Sequence, residues 1–248
     1  MTDLFRSWWY AALSAYRLRH LPVVPSLRRT LTTTDRLFLL EFYPALRGHD
    51  LVVYDIGADI GLFSHAVGSL SNVAAIHAFE PRRAAYAELL EIGKRSPVPV
   101  TCHNVALGEV NEQGNMFVPL VSTGSSSLLA PNRVFDRAVG VGPINQQSVT
   151  VARLDDYVTQ HQLPAPDVVK LDVQGFEDRV VRGGARTVAS AAFVIAEVHF
   201  EPSYEQSALF DDVYALMRSQ GFRLVGMNNA PFGYSSHPLE ANAIFARQ

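Results

Sequence analysis

One stretch near residue 55 constrains the fold of this chain more than any other. In VVYDIGADIG, residues 52–61, a run suited to a buried strand ends at an aspartate and passes into a turn between two glycines. Apolar residues at helical spacing follow, and a second strand-like run lies at 73–80. A strand, a glycine turn and a helix in this order are typical of the first unit of a cofactor-binding α/β sheet.

The same alternation continues along the chain and predicts an α/β fold with parallel strands. Further strand-like runs lie at 98–104, 167–173, 191–200, 222–227 and 241–246, with helical patterns between most of them. One helix is expected to begin near Phe176, and Asp155 is expected to cap the helix that it opens. The region 109–150 is rich in Gly, Ser, Asn and Gln. There we expect short extra strands and loops near the carboxyl ends of the main strands.

Composition limits the class of protein. The chain has 248 residues, 48% of them hydrophobic, which is enough for one large core. Its net charge of −3 argues against general binding of nucleic acid, and its single cysteine, Cys102, excludes an internal disulfide and a cysteine-rich zinc site. No apolar run reaches the length of a transmembrane helix, and no signal-peptide pattern is visible. We therefore expect a cytoplasmic protein.

Residues 1–48 are predicted to form a helical extension before the α/β domain at 49–248. The first 36 residues contain six arginines and two acids, together with the aromatic run Trp8, Trp9 and Tyr10. Such a segment could pack on the core of its own domain, cover the site where a substrate binds, form a homodimer contact or touch anionic lipid.

The glycine turn favours a cofactor without phosphate. The dinucleotide fingerprint places a glycine where this chain has Asp59, and a carboxylate there would repel a pyrophosphate. S-adenosylmethionine has no phosphate, and its methionine end carries an ammonium and a sulfonium that Asp55 could bind. Glu80 ends the second strand, where an acid can accept hydrogen bonds from ribose hydroxyls. The alternative is that Asp55 caps a turn and Glu80 is a solvated strand end.

These residues are part of a wider resemblance. The stretches YDIGADIGLFS, FEP, NVALG, LDDY and VVKLDVQGFEDRVVRGG resemble the FkbM-type S-adenosylmethionine-dependent methyltransferases, over about 52–200. The resemblance implies a class I (Rossmann-like) methyltransferase fold, in which a seven-stranded, mostly parallel sheet with an antiparallel last strand has helices on both faces. It also implies O-methylation, often of a sugar hydroxyl on a glycan, glycolipid or natural product. One departure is Asp59, where the family commonly has asparagine.

By matching position, the resemblance assigns residues to the cofactor. It implies that the methionine end is lined by Asp55, Gly57, Ala58 and Gly61, that Glu80 holds the ribose, and that Asn104, Val105 and Ala106 lie beside the adenine. It also implies that Asp172, after the strand at 167–173, faces the methyl group.

The acceptor hydroxyl is a weak acid, so a base that takes its proton would help catalysis. The candidates are His199, Asp172 and Glu177. His199 is the most natural base because the ordinary pKa of histidine is about 6.5, although it could also be a strand-end histidine bonded to backbone. Lys170 could simply neutralise Asp172 or Glu197. Asp172, Glu177, Glu197 and His199 could also converge on a metal ion, but no compact spacing motif requires one and we expect none.

Two other functions stay open at this point. An NAD-linked Rossmann oxidoreductase is disfavoured by Asp59. A non-catalytic binding module with a cofactor fold is disfavoured by the retained Asp172 and His199.

Overall fold

Two sheets organise the residues that the structure, a computed structural model, describes, namely 50–229 and 239–248. The strands are β1 (Leu51–Ile56), β2 (Val73–Phe79), β3 (Val100–His103), β4 (Ala106–Gly108), β5 (Glu112–Pro119), β6 (Ile144–Arg153), β7 (Val168–Leu171), β8 (Phe193–His199), β9 (Phe222–Asn229) and β10 (Glu240–Arg247). Seven of them form the main sheet in the order β3-β2-β1-β7-β8-β10-β9, with β10 antiparallel to both of its neighbours. The predicted seven-stranded, mostly parallel sheet is confirmed. The predicted extension at 1–48 lies outside the described residues.

Helices cover both faces of the main sheet. They are α1 (Leu62–Gly68), α2 (Arg83–Lys94), α3 (Arg133–Ala138), α4 (Leu154–Gln160), α5 (Glu177–Gly183), α6 (Ala185–Ser190) and α7 (Phe210–Ser219). Because side chains alternate along a strand, Val53 of β1 belongs to the core cluster that includes side chains of α1 and α2, whereas Tyr54 belongs to the cluster that includes side chains of α4 to α7. None of the described helices is both long and apolar enough to cross a membrane.

The region 109–150 forms most of a second, three-stranded sheet in the order β4-β6-β5. A short 3-10 helix, Thr123–Ser125, lies between β5 and α3. Side chains from this region, such as Met116 and Leu128, line a cavity together with residues at the carboxyl ends of β1, β2 and β7. The expectation of extra strands and loops at that edge of the main sheet is confirmed.

Asp155 caps a different helix from the one predicted. The cap residue of α4 is Arg153, and the Asp155 carboxylate instead accepts hydrogen bonds from the backbone N–H of Thr187 at 2.9 Å and of Arg186 at 3.2 Å. The helix expected from about 176 is in fact two helices that meet at Gly184. The start of α6 therefore has backbone N–H groups without partners inside the helix. The carboxylate of Asp155, about 30 residues earlier in the sequence, is their acceptor.

Candidate active site

A cavity of about 230 Å³ lies at the carboxyl ends of β1, β2 and β7. Five of the predicted site residues line it: Gly57, Glu80, Val105, Ala106 and Asp172. The apolar part of the wall comes from side chains such as Phe79, Met116, Leu128 and Phe176. The cavity therefore combines an apolar flank with two carboxylates at separate strand ends.

The other predicted residues lie outside the lining of this cavity. They are Asp55, Ala58, Gly61 and Asn104 among the cofactor residues, and Glu177 and His199 among the catalytic candidates. Asn104 is exposed and donates hydrogen bonds to the backbone carbonyls of Glu80 and Pro81 at 2.8 and 3.0 Å. It holds the turn after β2 in place, and its predicted position beside adenine stays a prediction.

The two glycines of the first turn serve close packing between elements. Gly57 has a φ of +81°, and a Cβ at this position would lie 1.9 Å from the backbone oxygen of Asp172. Gly61 has a φ of +91°, and a Cβ there would lie 2.7 Å from the Cδ1 of Leu89 in α2. The close neighbour of Gly61 is therefore a side chain of the helix α2. Gly57 joins the turns after β1 and β7 at the edge of the cavity.

Glu80, Asp59 and Arg82 form one polar cluster on the cavity wall. Glu80 is buried and accepts hydrogen bonds from the backbone N–H of Asp59 at 2.9 Å and of Arg82 at 2.8 Å. Burial raises the pKa of Glu80 above its ordinary value, and the nearby Arg82 guanidinium offsets only part of this rise. The Arg82 side chain forms ion pairs with both carboxylates. Asp59 adopts a positive φ of 48°, a conformation that aspartate and asparagine tolerate better than most residues.

This cluster corrects one step of the sequence argument. The predicted repulsion of a pyrophosphate assumed an unpaired carboxylate at residue 59, but Arg82 neutralises it. Asp59 therefore does not decide by its charge which cofactor the turn accepts. Its backbone N–H instead orients Glu80, whose carboxylate lines the cavity.

Asp55 lies behind the cavity wall and holds Lys170. It is fully buried, and it accepts a hydrogen bond from the Ser64 hydroxyl at 2.6 Å. Its other oxygen lies 3.6 Å from the Lys170 Nζ, which lies 3.0 Å from Asp172. Burial raises the pKa of Asp55, and the ammonium of Lys170, which lies closer to Asp172 than to Asp55, offsets this rise only in part. Direct contact of Asp55 with a cofactor has no support from this placement, and contact through water stays a prediction.

Lys170 and Gln174 fix the carboxylate of Asp172. Burial alone would lower the pKa of Lys170, but the carboxylates of Asp172 and Asp55 raise it above its ordinary value. Burial raises the pKa of Asp172, and Lys170 together with a 3.0 Å hydrogen bond from Gln174 more than reverses this effect. Asp172 is thus an ionised, oriented carboxylate on the cavity wall. The alternative in which Lys170 neutralises Asp172 is the arrangement observed.

Gln174 connects the cavity to a second group of acids. Its amide nitrogen also donates to Glu197, and its carbonyl oxygen accepts a hydrogen bond from the Tyr204 hydroxyl at 2.8 Å. Burial, followed by the charges of Asp172 and Glu240, raises the pKa of Glu197 well above its ordinary value. The sequence motif that contains Gln174 was identified, but the role of Gln174 was missed.

Glu177 is a structural acid in this arrangement. It is fully buried, and one of its oxygens accepts hydrogen bonds from the backbone N–H of Val173 at 3.0 Å and of Gly175 at 3.2 Å. Burial raises its pKa to about 7. These contacts shape the turn that carries Asp172, so Glu177 positions the site rather than facing the cavity.

His199 lies at the end of β8 among acids. Its Nε2 is 3.7 Å from the Oε2 of Glu197. Its ring meets the ring of Tyr204 edge to face, with 6.0 Å between the ring centroids. Neither ring nitrogen has a hydrogen-bond partner within 50–229 and 239–248, so the alternative of a histidine bonded to backbone is not observed. Glu240, at the start of β10, lies opposite His199 and was missed in the sequence. An acid directly before the strand-like run at 241–246 is the signal that would have identified it.

Comparison with known proteins gives one matching family. A profile described as the Methyltransferase FkbM domain matches residues 55–224, which is more than half of the chain. The 31-O-demethyl-FK506 methyltransferase FkbM of Streptomyces tacrolimicus is 27% identical over 234 residues, which cover 84% of this chain and 86% of that protein. The predicted resemblance is confirmed by the profile match.

Two shorter matches agree with this family. The hexuronic acid methyltransferase AglP of Haloferax volcanii is 28% identical over 156 residues, and the 2-O-methyltransferase NoeI of Sinorhizobium fredii is 29% identical over 167 residues. These matches cover 60% and 63% of this chain, but only 56% and 66% of the two relatives.

A solved structure shares the fold. Magnesium protoporphyrin IX methyltransferase (ChlM) from Synechocystis PCC 6803, with bound SAM, has a TM-score of 0.51 and 11% identity, and the match covers 87% of this chain and 78% of that one. At this level of identity the likeness concerns the fold alone. Together with the seven-stranded, mostly parallel main sheet, this likeness confirms the predicted class I methyltransferase fold.

Proposed function

The chain belongs to the FkbM methyltransferase family, and on that premise we propose that it is an S-adenosylmethionine-dependent O-methyltransferase. The observation that carries the proposal is the cavity in which the Gly57 turn, Glu80 and Asp172 meet, inside the matched range 55–224. The acceptor is a hydroxyl group of a sugar on a glycan, a glycolipid or a natural product. The names of two relatives specify oxygen as the methylated atom, and a third names a hexuronic acid.

The residues of the cavity fit this cofactor by the chemistry of their donors and acceptors. Glu80 lines the cavity with a carboxylate that can accept hydrogen bonds from ribose hydroxyls, while Val105 and Ala106 give an apolar surface for a flat base. The Asp172 carboxylate lines the cavity and supplies oxygen atoms that can accept hydrogen bonds from the ammonium of the methionine end. When bound, S-adenosylmethionine supplies a methyl group that is already a good electrophile.

Asp172 is the catalytic residue in this proposal. Its ionised carboxylate lines the cavity, where it can accept a hydrogen bond from the acceptor hydroxyl and take the proton as the new carbon–oxygen bond forms. Lys170 and Gln174 are positioning residues, because both contact the Asp172 carboxylate at 3.0 Å. Holding the acceptor in line with the methyl group is the larger part of catalysis for such a displacement.

Cofactor binding is the first test. Calorimetric titration should show binding of S-adenosylmethionine and none of NAD, and the reverse result would favour the oxidoreductase. Replacement of Glu80 by glutamine should weaken S-adenosylmethionine by about tenfold or more, because a hydrogen bond to a charged group contributes roughly 1.5–3 kcal/mol. The control is Glu88→Gln, at an exposed position on α2, which should bind like the native protein.

Turnover is the second test, and it separates an enzyme from a binding module. Methyl-labelled cofactor should transfer its label to sugar acceptors, including free and glycan-bound hexuronic acids. Asp172→Asn should reduce this transfer by about 100-fold or more, as expected for the loss of a general base. A protein that binds the cofactor but labels none of these acceptors would support the non-catalytic alternative.

The arrangement of the whole chain is part of the proposal. We place the catalytic domain at 49–248 and a helical extension at 1–48 that forms a homodimer contact. The single cysteine agrees with a reducing, cytoplasmic location, and the net charge of −3 agrees with an acceptor other than nucleic acid. Light scattering of the full chain and of a form without residues 1–48 tests the dimer contact. If the two forms contain the same number of chains per particle, the proposed dimer contact is wrong.

A further inference from the structure

Three side chains that can bind a metal ion meet beside the candidate active site, and we propose that they hold a divalent cation. They are Glu197, His199 and Glu240, and one ligand atom from each lies within 4.8 Å of the others. Neither the family profile nor the names of the relatives assign a metal to these positions.

The sheet brings the three residues together. Glu197 and His199 are two positions apart on β8, so their side chains point to the same face. Glu240 is the direct partner of His199 in the antiparallel pair between β10 and β8, and side chains of such a pair also share a face. Two neighbouring strands therefore position the ligand atoms, and strands hold side chains more rigidly than loops do.

The environment of His199 is an independent observation that points to a bound ion. It is 1% exposed, and neither of its ring nitrogens has a hydrogen-bond partner among the residues that the structure describes. A buried polar atom without a partner is unfavourable and rare. The nearest carboxylate oxygen, on Glu197, is 3.7 Å from Nε2, which is too long for a hydrogen bond.

The spacing suits two ligands of one ion. Metal–ligand bonds of about 2.0–2.2 Å place two ligand atoms about 3–4 Å apart at angles between a right angle and a wide one. The 3.7 Å from His199 to Glu197 lies in this range. A separation at the 4.8 Å limit would need a small closing movement, because two such bonds span at most about 4.4 Å.

The surroundings of Glu197 are rich in acids, which favours binding of a cation. Glu197 interacts electrostatically with Asp172, Glu240 and Glu177, all of them acids. Lys170, the ammonium that interacts with Glu197, is already held between Asp172 and Asp55. A divalent ion between Glu197 and Glu240 would balance their charges and would also bind the open nitrogen of His199.

The ligand set indicates the class of metal. Two carboxylates and one imidazole, without a thiolate, suit Mn²⁺ and similar first-row ions better than softer metals. Three protein ligands leave positions open for water or for a substrate oxygen. Gln174 contacts Glu197 and also lines the cavity, so the ion would be close to the acceptor. If the proposed methyl transfer is correct, on which this step rests, the metal would bind an acceptor hydroxyl and lower its pKa.

The test uses Mn²⁺ binding to the full chain after treatment with a chelator, with no acceptor present. Electron paramagnetic resonance of free Mn²⁺ gives the number of ions bound, and thermal unfolding with and without Mn²⁺ gives an independent readout. We expect about one ion per chain, and at least about tenfold weaker binding in Glu240→Gln and in His199→Gln. The control Glu205→Gln, at an exposed position, should bind Mn²⁺ like the native protein.

Two results would overturn the metal site: no Mn²⁺ uptake by the native chain, or equal uptake by the native chain and the Glu240→Gln variant. Both substitutions replace a polar side chain by a neutral amide, and circular dichroism checks that each variant folds. If one variant fails to fold, the other carries the comparison. Binding of S-adenosylmethionine is measured separately, so failure of the metal site and failure of the proposed methyl transfer can be told apart.

Discussion

Replacement of Gly57 by alanine should destabilise the protein much more than the same replacement at Gly221. Both glycines have a positive φ, +81° and +85°, so alanine meets similar backbone strain at either position. Their surroundings differ, because a Cβ at Gly221 would meet no atom within 4 Å. At Gly57 it would lie 1.9 Å from the backbone oxygen of Asp172. The pair of variants therefore separates backbone strain from the close approach of the two turns.

The size of the difference follows from these contacts. Alanine at a positive φ costs about 1–2 kcal/mol, and the stiffer unfolded chain offsets about 0.4–1 kcal/mol of this. Gly221→Ala should therefore lower the free energy of unfolding by about 1 kcal/mol. Gly57→Ala must also move the Asp172 backbone by roughly 1 Å, and such overpacking typically costs about 1–3 kcal/mol. The expected total for Gly57→Ala is about 3 kcal/mol.

Equilibrium unfolding in urea measures both variants against the native protein, and equal slopes would confirm that the comparison is valid. The displaced backbone belongs to Asp172, so Gly57→Ala should also reduce methyl transfer, whereas Gly221→Ala should leave it unchanged. The reasoning is refuted if the two variants lose the same stability, because the contact with Asp172 would then contribute nothing.

Three further predictions test other contacts. Glu177 has a pKa of about 7 in the folded protein against an ordinary value of 4.5, so the folded state holds its proton more tightly. The free energy of unfolding should therefore fall by about 3 kcal/mol as pH rises from about 4.5 to 7, and urea titrations of Glu177→Gln should show this slope flattened. Asp155→Ala removes the acceptor at the start of α6 and should cost about 2 kcal/mol, while the exposed Asp156→Ala should cost less than about 0.5 kcal/mol; equal losses would show that the cap is unimportant. Arg82→Met leaves a buried carboxylate unpaired and should cost about 3 kcal/mol, against a near-neutral change at the exposed Arg83→Met, both read from thermal unfolding.

The fold was predictable because its signals are local. A buried strand, a glycine turn and an amphipathic helix can each be recognised within about a dozen residues, and their alternation determines the class of sheet. Of the acids that line the cavity, Glu80 and Asp172 were predictable for the same reason, since each directly follows the end of a parallel strand. Their placement at the cavity required only that the strands be parallel.

The contacts of the site were less predictable because they depend on pairings across the chain. The sequence places Asp55 at a strand end, but whether its side chain faces the cavity or Lys170 depends on the packing beneath the turn. The pairing of Asp59 with Arg82 joins two turns that are separated by a helix and a strand. Glu240 reaches His199 only because β10 pairs with β8 in one particular antiparallel register.

The position of β10 has a consequence for how the protein is made and degraded. It follows β9 in the chain, yet it lies between β8 and β9 and is hydrogen-bonded to both. During synthesis, β8 and β9 leave the ribosome before residues 240–247 do. Until then, the edge of each strand that pairs with β10 stays without its partner. A protease that removed this short segment from the finished protein would split the sheet in its interior instead of trimming its margin.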